Sequence, residues 1–183
     1  RRTAVAQEAA RLMHEHGVKD FRLAKEKAGV RLGLEDKGAL PTNREIEAAI
    51  AERQRIFDGD GHDELVDVLR AAAVGMMERL AEFDPRLVGA VLAGNASEHS
   101  AIELHVFSDS PEAVGATLDA LGLPNRAIQH RLRMRRDEPE PFPGYRFGDG
   151  DFEYVAIVFP ERGRGNAPLS PVDGRPMRRA TAR

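Results

Sequence analysis

Cysteine is absent from all 183 residues, and so is tryptophan. Without a thiol the chain can build no disulfide framework, no thiolate metal site and no cysteine nucleophile, and a reducing, cytoplasmic setting is expected. Aromatic residues make up only 5%, which leaves little for the base-stacking platforms of single-strand nucleic-acid binders. No stretch approaches the roughly 18 apolar residues that a membrane span requires. The segment Arg1 to Met13 mixes charges with alanines and has no apolar signal core, so neither export nor a membrane partner is expected. His-Glu-x-x-His, P-loop and Gly-x-Ser-x-Gly patterns are also missing, which removes the metalloprotease, P-loop NTPase and α/β-hydrolase readings.

What is present is enough for a core: 42% of the residues are hydrophobic, on a chain long enough for one domain or two small lobes. The net charge of −3 is unevenly spread, with 15 Lys and Arg against 22 Asp and Glu up to Ala120, and 12 against 8 from Leu121 onward. The basic second part suits a phosphate ligand, yet it is far less basic than a typical nucleic-acid-binding domain. Most of the 11 prolines lie after Leu123.

Helical spacing of apolar residues marks Thr3 to Gly17, a segment capped by Asp20 and running through Ala28, a segment opened by Thr42-x-x-Glu45 and carrying Ile46, Ile50, Ile56 and Phe57, and a long segment from Asp63 to Glu82. The run Leu87 to Ala93 reads as a strand buried on both faces. Alternation then marks a strand around Ile102, Leu104 and Val106. A short helix follows from Ser110-Pro111, then a strand from Ala127 to Arg136, and a hairpin of Tyr145–Phe147 with Phe152–Phe159. The expected fold class is therefore α+β: about four helices over residues 1–84, a small mixed sheet over 85–160, and an extended Pro/Gly/Arg tail over 161–183 that docks on the sheet face or an edge strand.

One constellation carries a family resemblance. Leu92-Ala93-Gly94-Asn95-Ala96 followed by Ser100-Ala101-Ile102-Glu103-Leu104 resembles the nucleotidyltransferase superfamily, in which a Gly-Ser after one strand holds the triphosphate and an Asp-x-Asp on the next holds Mg²⁺. Two carboxylates two residues apart on a strand face the same side, where their hard oxygens suit Mg²⁺. Here Glu103 stands at the second carboxylate position, Ala101 at the first, and Asn95 replaces the serine. The resemblance, over about residues 64–160, implies Mg²⁺ as cofactor, held by Glu103 with Glu153 as the carboxylate from a later strand. It also implies nucleotide phosphates approached by Gly94, Asn95 and Ser100 and neutralised by Arg133 and Arg135. The whole chain, from Ala10-Arg11-Leu12-Met13 through His99-Ser100 to Ser170–Met177, is similar to a group of proteobacterial proteins, some of which carry a nucleotidyltransferase label.

Other constellations are less specific. Glu103 and His105 share a strand face and could form an acid–base or metal pair, with His99 in the preceding loop. Arg131, Arg133, Arg135 and Arg136, with Arg162 and Arg164, could line a phosphate or RNA surface on which Tyr145 and Phe147 stack. Leu23 to Val30 resembles the helix-turn-helix start of TetR-type repressors, but Gly33, Gly38 and Pro41 leave little room for a recognition helix between Arg31 and Leu40. Asp58-Gly59-Asp60 fails as an EF-hand, since the twelfth position is Leu69. The expectation is thus a nucleotidyltransferase-like protein with a degraded site and weak or no turnover. The alternatives are a non-catalytic module for nucleotide, RNA or a protein partner and, third, a DNA-binding regulator.

Overall fold

A computed structural model describes residues 1–34, 40–57, 60–135 and 138–183. The chain is α+β, and it divides into two compact units: residues 1–65 with 97–99 and 171–173, and residues 66–96 with 100–170 and 174–183. The division falls inside a helix, so Val66 onward belongs with the sheet, although the sequence reading grouped everything before Pro85 with the helices. The expected separate tail contributes to both units. Among the described residues no helix is long and apolar enough to cross a membrane.

The first unit is built on α1 (Arg2–Glu15), α2 (Phe21–Arg31) and α3 (Asn43–Phe57). Ala9 and Ala10 of α1 and Ala24 and Ala28 of α2 are fully buried, and these small side chains let the helices approach while Val5, Leu12, Ile46 and Ile50 fill the space between them. Asp20 caps α2 by accepting the Leu23 N–H at 3.0 Å. The capping box at α3 forms in both directions: Thr42 Oγ1 accepts from the Glu45 N–H at 3.2 Å, and Glu45 accepts from the Thr42 N–H at 2.6 Å. Ile56, expected in the buried stripe of α3, is exposed. The segment where a recognition helix would follow α2 lies largely at 35–39, outside the described residues, as does Asp58-Gly59.

The second unit holds the last part of α4 (Asp60–Arg79), β1 (Arg86–Val88), α5 (Gly89–Ala93), β2 (Ile102–Phe107), α6 (Pro111–Ala120), β3 (Asn125–Leu132), β4 (Glu140–Gly148) and β5 (Glu153–Phe159). Among the described residues the strands form one mixed sheet in the order β1-β2-β5-β4-β3. The central pair, β2 and β5, is parallel, and the other neighbours are antiparallel. The apolar run after Pro85 is not one strand. Gly89 has φ +75°, which turns the chain out of β1 and into α5. A wholly apolar stretch carries no period to separate the two outcomes.

Register places side chains on two faces. Ile102, Leu104 and Val106 with Tyr154, Ala156 and Val158 form the face that packs toward α4 and α6, and all are buried. Each such Leu, Ile or Val contributes about 1.5–3 kcal/mol by leaving water. Tyr154 donates its hydroxyl to Asp149 Oδ2 at 3.1 Å, and its hydroxyl oxygen also lies 3.4 Å from the Ala72 carbonyl on α4. On the opposite face Phe107, Val155, Ile157 and Phe159 make a second cluster with Ile128, Leu132 and Phe142.

β4 is longer than its aromatic residues suggested, because it runs through Pro141 and Pro143. The Gly148 N–H donates to Pro124 O at 3.3 Å, so even-numbered β4 residues face β3 and odd-numbered ones face β5. Both prolines therefore turn their missing N–H away from β3. The β3–β4 ladder continues to Leu132↔Glu140, whereas the β4–β5 ladder stops at Gly144↔Ile157.

The tail crosses the second cluster. The Leu169 N–H donates to Arg133 O at 2.6 Å beyond the end of β3, and Ala180 exchanges two backbone hydrogen bonds of 2.8 and 3.0 Å with Leu87 on the outer edge of β1. It thus covers both a face and an edge, which are the two docking places expected from its composition.

Candidate functional site

The tail leaves one half of this sheet face open, at the N-terminal ends of β2 and β5. Register determines what stands there. Ile102 pairs with Tyr154, so Ala101 is level with Glu153 on the same face, and Glu103 is level with Val155 on β5 and Val88 on β1. Arg146 of β4 is level with Val155, and Arg126 of β3 is level with Arg146. Glu103, Glu153, Arg126 and Arg146 therefore share this end of the sheet. Glu103 and Glu153 are diagonal neighbours on adjacent strands, separated by Ala101 where the resemblance expects a carboxylate.

The two carboxylates are held differently. Glu153 accepts from Arg146 Nη1 at 3.0 Å. The Glu103 carboxyl group lies over Gly89, so near that a Cβ added there would overlap its Oε2. Among the described residues no group of three His, Asp or Glu side chains converges as a metal-binding set. Glu153 is thus engaged by an arginine, and the Glu103 carboxyl group packs against the Gly89 backbone.

Gly94 and Asn95 close α5, and both of their N–H groups donate to Ala90 O, at 2.9 and 3.1 Å. These amides are committed to the helix end. The cation brought to Gly94 is Arg70 of α4: its Nε donates to Val91 O at 3.1 Å and its Nη2 to Leu92 O at 2.8 Å. Its Nη2 also lies 3.3 Å from where a Gly94 Cβ would stand. Sequence reasoning missed Arg70 because its partners are carbonyls of a segment read as a strand. Ser100 precedes β2 at the same open end.

Arg133 and Arg135 are not at this end. They follow β3 at the tip of the β3–β4 hairpin, beside the C-terminal ends of β2 and β5. Six residues of strand, about 20 Å at 3.3 Å per residue, separate that level from Glu153. Arg136 lies outside the described residues. Nor do the expected stacking residues face solvent: Phe147 is buried in a stack with Tyr154, their ring centroids 5.1 Å apart, and Tyr145 is half-buried with its hydroxyl donating to Pro111 O at 3.1 Å. Arg164 is paired with Asp84 at 3.0 Å.

His105 shares the face of Glu103 but lies under the tail. It is 2% exposed, its ring centroid is 4.6 Å from that of Phe159, and its Nδ1 accepts from Arg179 Nε at 2.9 Å. The Arg179 guanidinium also covers the rings of Phe159 and Phe107, at 4.8 and 5.1 Å. Burial pushes the His105 imidazole down to about 3, and the charges of Arg179 and His130 act in the same direction. A neutral imidazole sealed beneath an arginine packs the tail and is not placed to exchange protons with a substrate. His99, the other histidine considered, belongs to the first unit.

A concavity of about 540 Å³ opens where β4 leaves β5. Ser108, Asp109, Phe142, Pro143, Phe159 and Arg162 are among its lining residues. It sits at the C-terminal ends of the parallel strands, away from Glu103.

No protein-family model matches the chain, and no curated protein and no solved structure shows significant similarity to it.

Proposed function

We propose that the second unit is a nucleotidyltransferase-like module that has lost metal-dependent turnover and holds a nucleotide or another phosphate-bearing ligand at the open end of its sheet. The observation that carries this reading is the register of β2 on β5. It sets Ala101 level with Glu153, so the carboxylate pair implied by the resemblance is reduced to Glu103 and a diagonal Glu153 that is already bonded to Arg146. Arg126 and Arg146 supply positive charge on the same surface, where a phosphate gains charge-assisted hydrogen bonds without a metal.

A non-catalytic module for a protein partner is the second reading. It is favoured by the commitment of the Gly94 and Asn95 amides to Ala90, which removes the backbone donors that the resemblance would offer to a triphosphate. A thermal-shift series with nucleoside triphosphates, with and without Mg²⁺, on the parent, Glu103→Ala and Arg126→Ala decides among the readings. The proposal expects stabilisation that is independent of Mg²⁺, weakens with salt and falls in Arg126→Ala. Mg²⁺-dependent stabilisation lost in Glu103→Ala would restore a working transferase site. No shift with any nucleotide would leave the protein-partner module.

A further inference from the structure

The two edges of the sheet are finished differently. On the outer edge of β1 the tail residue Ala180 takes both backbone groups of Leu87. The outer edge of β3 has no such cover. Because the even-numbered residues of β3 face β4, Ala127, Gln129 and Arg131 turn their N–H and C=O groups outward. Among the described residues these backbone groups have no hydrogen-bond partner, and all three residues are exposed. At the next outward position past the strand, the Arg133 carbonyl already accepts a backbone N–H from Leu169.

We propose that β3 is a docking edge for an extended acidic peptide segment of a partner protein, which adds to the sheet as a further antiparallel or parallel strand. An eight-residue edge strand with free N–H and C=O groups is a template for such pairing. Its chemistry selects the partner. β3 carries Arg126 and Arg131 and no acidic residue, and Arg126 is exposed with no ion-pair partner among the described residues. Glutamates or aspartates on an incoming strand would lie across from these groups at cross-strand distance, where opposite charges attract. Ile128 and Leu132, half-buried, share the face of Arg126, so along that face an incoming strand meets basic and apolar side chains in turn, with Arg131 on the other face. A second copy of this chain pairing β3 to β3 would instead bring two basic strands together, which the same charge rule disfavours.

The test uses the full chain and a labelled synthetic peptide, Ac-Glu-Val-Glu-Ile-Glu-Val-Glu-amide, with a lysine-for-glutamate counterpart. Fluorescence anisotropy reads affinity, and amide hydrogen exchange reads residues 127, 129 and 131. The acidic peptide is expected to bind at least tenfold more tightly than its lysine counterpart and to slow exchange at those three amides. Gln129→Pro removes an outward N–H without touching the β4 ladder, and it is expected to weaken binding at least tenfold. Should that variant not fold, Arg131→Glu is expected to reverse the preference between the two peptides. Absence of acidic-peptide binding, binding without protection at these amides, or binding unchanged in the folded Gln129→Pro variant overturns the proposal. A chain dimer that Gln129→Pro abolishes overturns it in favour of self-pairing.

Discussion

Lowering the pH from 7.5 to 5 should destabilise the second unit through His105 in particular. In the unfolded chain an imidazole titrates near 6.5, whereas burial beneath Arg179 holds the folded His105 near 3. Between those values the unfolded state binds a proton that the native state refuses, so stability is full above pH 6.5 and is lost as the pH falls toward 3. At pH 5 the unfolded imidazole lies 1.5 units below its own midpoint, which corresponds to about 2 kcal/mol, at about 1.4 kcal/mol per unit. The chain has no Trp and only two Tyr; these are Tyr145 and Tyr154, and both belong to the second unit. Urea unfolding followed by tyrosine fluorescence therefore reports on the sheet unit alone. His105→Gln keeps an acceptor for Arg179 Nε and removes the titration. Asp84 is held low chiefly by its hydrogen bond to Arg86. For Asp149, burial acts upward but is outweighed by hydrogen bonds from the Phe152 and Asp151 amides and the Tyr154 hydroxyl. Both lose their contribution only at lower pH, and the comparison with the variant subtracts them. Equal pH slopes for the parent and His105→Gln between pH 7 and 5 would refute the assignment of His105 as a buried neutral group.

Two further outcomes follow from the same packing. Gly89→Ala should cost about 1–2 kcal/mol, because an L residue at φ +75° is strained; adding Glu103→Ala should recover only the part due to overlap with that carboxylate, which a double-mutant cycle on the tyrosine signal measures. Arg179→Ala should cost about 1–2 kcal/mol through the lost ring contacts and the bond to His105, raise the His105 pKa in an NMR titration, and speed exchange of the Leu87 amide where the tail pairs with β1.

Much of the helical architecture is legible because caps and periods are local signals. Asp20, Thr42-x-x-Glu45 and Ser110-Pro111 each sit at the start of the helix they mark. β2 is legible from its alternation, and β5 as the second arm of the hairpin around Gly148-Asp149-Gly150. The failures are where tertiary geometry decides. Leu87 to Ala93 is apolar throughout, and only the positive φ of Gly89 divides it into β1 and α5. The prolines of β4 hide a strand because its tolerance of them depends on which neighbour each residue faces. The site suffers most from this limit. Glu103 and Glu153 were identifiable as carboxylates on strands, but that Glu153 is level with Ala101 follows from the register of β2 on β5, and Arg70, Arg126 and Arg146 become relevant only through partners distant in sequence.

The tail supplies the argument for where ligand chemistry can occur on this sheet. From Leu169 at the β3 tip to Ala180 at the β1 edge it crosses the clustered face, and Arg179 seals the level of His105, Phe107 and Phe159. Apolar rings and a neutral imidazole fill that half, so a polar ligand there would displace the strap and expose the aromatic cluster. The other half keeps Glu103, Glu153, Arg126 and Arg146 within two register steps of one another, at exposed or half-buried positions. The charges there are mixed, and the Arg146–Glu153 bond already satisfies one of each sign. An anion at this end would meet Arg126 outside that pair, and a cation at Glu153 would compete with Arg146. The proposed phosphate-bearing ligand therefore rests on Arg126, the arginine at this end that the Arg146–Glu153 pair does not engage.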